Sequence, residues 1–144
     1  MVRRGWLTLA IFGAFALTSV VGCGSKRIPV SGTITLDGQP IDGGELVFTP
    51  DVAKGNTSPV VCRSPIKEGR YDLETNAVTR RESGSGVPPG WYKITFRQLE
   101  ESSKKHKIAV INVNDKFRNV DTTPLAVEVK DNPEPGAYDF KMTK

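Results

Sequence analysis

The sequence predicts an all-β sandwich of seven or eight short antiparallel strands, set after an N-terminal signal peptide. Three observations predict it. From Pro29 onward apolar residues recur with a period of two rather than 3.6. Gly, Pro, Asn and Asp clusters punctuate the chain at fairly regular spacing. No segment after the leader carries a sustained helical stripe.

Each element follows from its residues. Val30, Ile34 and Leu36 alternate with Ser31, Thr33 and Thr35, and Asp37-Gly38 supplies the positive φ angles of a tight hairpin. Pro40 and Gly43-Gly44 lead into Glu45–Thr49, where Leu46 and Phe48 share one face, and Pro50 closes it. Residues 51–58 are polar and contain Gly55 and Asn56, which predicts a loop. Val60–Ile66 forms a third strand. After the Glu68-Gly69 turn, Arg70–Glu74 places Tyr71 and Leu73 inward. Residues 75–89 are rich in Ser, Gly and Arg and read as a longer loop; Ser83-Gly84-Ser85-Gly86 lacks the Lys-Ser/Thr of a phosphate loop.

Trp91–Arg97 is the clearest strand. Tyr92, Ile94 and Phe96 face one way; Trp91, Lys93, Thr95 and Arg97 face the other. Residues 98–107 are charged. Ile108–Val113 is apolar and β-branched, which predicts a strand. Residues 114–123 are irregular. Leu125–Lys130 alternates again, a turn with two prolines spans 131–136, and Tyr138, Phe140 and Met142 mark the last strand.

The leader has its own logic. Met1-Val2-Arg3-Arg4 is basic, and Trp6–Val21 is uncharged and largely apolar, the order of a secretory signal. At about 16 residues the run is short of a membrane span. Val20-Val21-Gly22-Cys23 resembles a lipobox, the processing motif of bacterial lipoproteins. The resemblance implies a diacylglyceryl thioether on Cys23, recognition of Val20, Val21 and Gly22 by the signal peptidase, cleavage after Gly22, and acylation of the new amino group. Several acyl chains anchor stably where one binds marginally. An uncleaved anchor or an ordinary signal peptide is the competing reading, and the cysteine's place at the end of the apolar run favours the lipobox. Gly24 rather than Asp after the cysteine resembles outer-membrane cargo, facing the periplasm or the surface. The expected organisation is signal peptide 1–22, lipidated tether 23–28 and sandwich 29–144.

The chain of 144 residues leaves about 120 after cleavage, one domain's worth. Removing Arg3 and Arg4 lowers the net charge from +4 to about +2, and no face is evidently basic, which argues against a nucleic-acid partner. With Cys23 lipidated, Cys62 has no disulfide partner. In Pro59–Arg63 it reads as a buried thiol acting as a small hydrophobe.

At Val30–Ile41 the chain becomes recognisable. A valine-led strand, Gly32, the Asp37-Gly38 turn and Pro40 are followed by Gly44-Glu45-Leu46-Val47-Phe48-Thr49-Pro50. Gly69-Arg70-Tyr71-Asp72-Leu73, Pro88–Ile94 and Thr123–Val129 follow in order. This succession resembles the carboxypeptidase regulatory-like, or transthyretin-like (prealbumin-like), β-sandwich family and covers nearly all of the chain after Cys23. The resemblance implies a binding or structural accessory domain without catalysis. The same fold carries a transthyretin-related hydrolase that uses several histidines and a C-terminal Tyr-Arg-Gly-Ser. Here the sole histidine is His106, within Lys104–Lys107, and the sequence closes on Phe140-Lys141-Met142-Thr143-Lys144, so that activity is not expected.

Nucleophilic catalysis needs a base held against the nucleophile, and no such pair is apparent. No cofactor is expected. No metal-ligand spacing appears, and Asp115, Asp121 and Asp131 sit near turns, where Asp serves the backbone. The basic run 104–107, balanced by Glu100 and Glu101, is a solvated loop or a headgroup contact. Trp91 is the candidate ligand contact, since an outward indole can stack on a sugar or partner; cover by loops is the bland alternative. The expected function is therefore a membrane-anchored envelope lipoprotein, a non-catalytic structural or protein-interaction module with membrane lipid as partner through Cys23. The alternative is a carbohydrate-binding module that contacts an envelope polysaccharide through Trp91.

Overall fold

A computed structural model describes residues 26–73, 86–99 and 110–144. The signal segment, Val20, Val21, Gly22, Cys23 and the basic run with His106 lie outside these residues. Eight strands are described: β1 (Ser31–Leu36), β2 (Gln39–Pro40), β3 (Glu45–Pro50), β4 (Cys62–Pro65), β5 (Arg70–Asp72), β6 (Gly90–Arg97), β7 (Ala126–Val129) and β8 (Phe140–Met142). They form two four-stranded sheets, one ordered β2-β1-β5 with β8 also on β1, the other β4-β3-β6-β7. The protein is an all-β sandwich, and among the described residues no helix is long and apolar enough to cross a membrane.

Alternation sets the core. Leu46 and Phe48 of β3, Tyr92, Ile94 and Phe96 of β6, and Val127 and Val129 of β7 turn inward from the second sheet. Val30, Ile34, Tyr71, Leu73, Phe140 and Met142 meet them from the first. Phe48 lies at the junction. Its ring centroid is 6.2 Å from Tyr92 of its own sheet, 5.8 Å from Tyr71 and 6.0 Å from Phe140 of the facing one. Tyr71 and Phe140 stack at 5.9 Å.

Two glycines carry steric demands. Asp37 and Gly38 take φ of 49° and 81°, the pair of positive values that a two-residue hairpin between β1 and β2 needs. Gly32 has ordinary backbone, but a side chain there would run into the carbonyl of Tyr138. That carbonyl accepts a hydrogen bond from the buried Tyr71 hydroxyl at 2.7 Å. The missing Cβ thus lets the chain before β8 close over β1.

Three features differ from expectation. First, β8 pairs with β1 in parallel, Ile34 opposite Phe140, although every other strand pair is antiparallel. β7 ends at the end of the sandwich where β1 begins; the 131–136 turn carries the chain to the facing sheet, so β8 must run the same way as β1. Second, Val110–Val113, the described part of the predicted Ile108–Val113 strand, is not in a sheet. Its backbone is bonded by side chains instead: Gln98 Oε1 accepts from the Ile111 amide, and Arg118 donates to the carbonyls of Ile111 and Val113. Third, β4 and β5 are shorter than predicted, with Pro65 as the last residue of β4. Ile28, read as tether, is buried and bridged to Val87.

Replacing Phe48 with Ala removes the shared ring of both sheets and should cost about 3–5 kcal/mol in denaturant unfolding. The buried phenols give a pH signature. Desolvation by burial raises the Tyr71 pKa, with the Asp139 and Tyr138 charges adding to it; burial likewise raises Tyr92, partly offset by hydrogen bonding from Asn56. An unfolded tyrosine ionises at about 10. Their contribution is complete below that pH and is lost as pH rises above it, because the unfolded chain releases protons that the folded chain keeps. Alkaline unfolding should therefore be less steep with pH in Tyr71→Phe than in wild type.

Candidate functional site

Trp91 is placed by β6 and fastened by the turn that follows β3. Its carbonyl accepts from the Asp51 amide at 2.9 Å and from Asn56 Nδ2 at 2.8 Å. Between these anchors the chain makes a single 3₁₀ turn, Val52–Lys54, closed by Gly55 in the left-handed region at φ 82°. Asn56 is itself buried, and its Oδ1 accepts from the Ser58 amide. The result projects Val52, Ala53 and Lys54 into solvent. The Lys54 ammonium lies 3.5 Å from the centroid of the Trp91 ring, within cation–π range. The indole expected to face outward is thus half-buried, with one face taken by Lys54.

A second feature was not anticipated. An open groove of about 670 Å³ runs along the seam between the sheets, lined among others by Ser31, Thr33, Ser64, Arg70 and Asp72. Its size is that of a small-molecule site. Ser64, 1 % exposed, accepts from the Asp72 amide at 2.9 Å and donates to the Asp72 carbonyl at 2.7 Å. One hydroxyl therefore links the edge strand β4 to β5. Pattern reading cannot find such a residue, because a serine inside a short strand carries no mark of what it will face.

At the opposite end from Trp91, Glu45 is buried beneath two arginines. Its Oε1 lies 2.6 Å from Arg97 Nε and 3.9 Å from Arg63. The Arg97 N–H is not aimed at that oxygen, so the contact is a charge pair rather than a directed hydrogen bond. The alternation put Arg97 outward; it gave no sign that Glu45, opposite it in register, would be covered.

Cys62 lies opposite Phe48 in the β3–β4 register and is 1 % exposed. Burial raises its thiol pKa, and the charge of Arg27 only partly opposes this. A thiol so held is not a nucleophile at neutral pH. Among the described residues no three His, Cys, Asp or Glu side chains are grouped to hold a metal. Asp115, Asp121 and Asp131 are separate: Asp115 pairs with Arg118, Asp131 pairs with Lys26, and the Asp121 amide donates to Asn119.

Comparison with protein-family models, with curated proteins and with solved structures finds no match to this chain.

The folded protein should be inert to a maleimide at Cys62 at neutral pH and should react once urea exposes the core. Labelling is to be read on the variant Cys23→Ser, so that Cys62 is the sole thiol.

Proposed function

We propose that this chain is a bacterial cell-envelope lipoprotein, anchored through lipid on Cys23, whose sandwich is a non-catalytic structural or protein-interaction module. The observation that carries the reading is the placement of the lipobox. Cys23 ends the apolar leader and precedes Ile28, the first residue in a β-bridge among the described residues, by five positions. An uncleaved anchor or an ordinary signal would place no special demand on a cysteine there. With Gly24 next to it, the sorting rule for such cysteines favours the outer membrane.

Kinship with the carboxypeptidase regulatory-like sandwiches is part of the proposal. Its support is that the residues carrying the resemblance occupy strand and turn positions of matching kind. Asp37-Gly38 turns β1 into β2, Gly44 precedes β3, Tyr71 is inward on β5, and Gly90 opens β6. The non-catalytic reading is supported by the burial of Cys62 and of the Tyr71 and Tyr92 phenols, which favours their protonated forms. A carbohydrate role for Trp91 ranks second, because Lys54 already occupies one face of the ring.

Metabolic labelling with a clickable palmitate analogue tests the anchor. Wild type should carry label in the membrane fraction, and Cys23→Ala should carry none. Absence of label on wild type would make the leader an ordinary signal or an uncleaved anchor.

A further inference from the structure

We propose that the Val52–Lys54 tip together with Trp91 is a bilayer-contacting edge, through which the anchored domain rests on an anionic lipid surface. The inference rests on the lipid-anchor reading of Cys23 and adds to it which part of the sandwich meets the membrane.

The strand directions put the tip at the tether end. Lys26 pairs with Asp131, just beyond β7, and Ile28 bridges to Val87, just ahead of β6. In the β6–β7 register Gly90 is opposite Val129 and Trp91 is opposite Glu128. The Asp51 amide bonds to Trp91. The entry of the chain, the start of β6, the end of β7 and the 3₁₀ turn after β3 therefore share one end. Cys23 lies three residues before Lys26. A fully extended chain of that length spans at most about 11 Å. A lipid on Cys23 must then hold this end of the sandwich close to the headgroups.

The chemistry at that end suits a lipid interface. Val52 is 72 % exposed, one of two large apolar side chains that the described residues leave in solvent. The other, Val110, is close to Gln98, beyond β6 at the opposite end. Beside Val52 stand a half-buried indole and an ammonium, the pairing of amphipathic ring and snorkelling cation found at membrane–water interfaces. The nearby Lys26 and Lys130 are matched by Asp131 and Glu128. Lys54 makes no ion pair among the described residues and is left to meet a phosphate. A basic side chain near an anionic surface gains attraction that grows as the anchor brings it within a Debye length. The Glu45–Arg97 end then points away from the bilayer.

Cleavage after Gly22 removes Trp6 and leaves Trp91 as the sole indole, so its emission reports this edge alone. The mature lipidated protein is reconstituted in phosphatidylglycerol–phosphatidylethanolamine vesicles with or without lipids brominated near the headgroup. Flotation reads the anchor, and the emission ratio between the two vesicle types reads the edge. Wild type should float and lose Trp91 emission in brominated vesicles. The double variant Val52→Asp, Lys54→Glu should float equally and lose that quenching; both sites are exposed, so folding is unaffected. Flotation of wild type without quenching, as when a protein partner takes the tip, overturns the proposal and leaves the anchor standing. Quenching unchanged in the double variant also overturns it. A wild type that does not float defeats the anchor reading and this proposal with it.

Discussion

Phe48 holds the two sheets of this protein together. Its ring touches Tyr92 on its own sheet and Tyr71 and Phe140 on the other, so one side chain couples β3, β5, β6 and β8. Tyr71 extends the coupling by donating its hydroxyl to the Tyr138 carbonyl, and Gly32 leaves the space for that carbonyl to approach. The last strand can therefore lie against the first only because a ring, a hydroxyl and a missing Cβ agree. Burying Tyr71 without a partner for its hydroxyl would cost about 1–3 kcal/mol. Ser64 performs a similar service at the seam of β4 and β5 with a single hydroxyl.

With the sheets fixed, the two ends of the sandwich acquire different character. One end gathers the entry of the chain, the Val52–Lys54 tip and Trp91. The other gathers Glu45 with Arg63 and Arg97, and the Asp37-Gly38 hairpin beside Lys144. A domain tethered by a few residues cannot present both ends equally to its surroundings. On the proposed anchor, the first end meets lipid and the second is offered to the envelope. The titratable groups most affected by burial, Cys62, Tyr71 and Tyr92, are interior and serve packing.

Much of the fold was legible because it depends on neighbours in sequence. Period-two alternation named Leu46, Phe48, Tyr71, Tyr92, Ile94 and Phe96 as inward, and all six are buried. Asp37-Gly38 announced its turn through backbone preference alone. What escaped depends on residues far apart. The parallel β1–β8 pairing follows from where the chain crosses between sheets, which no local pattern encodes. The apolar run ending at Val113 resembles a strand, yet Gln98 and Arg118 take the backbone bonds that a ladder would need. The cover of Trp91 by Lys54 requires a turn whose anchors, Asp51 and Asn56, read only as loop residues. For the candidate site, sequence supplied Trp91 but neither the tip beside it nor the groove at Ser64.

On the proposed anchor, the domain begins at a lipid-bearing cysteine. The most direct test is mass spectrometry of the N-terminal peptide from protein extracted from membranes. The proposed anchor gives a peptide that starts at Cys23 and carries the mass of a diacylglyceryl thioether, with an acyl group on its amine where the host adds one. A peptide that retains Trp6, or one that starts at another residue with an unmodified Cys23, would contradict it.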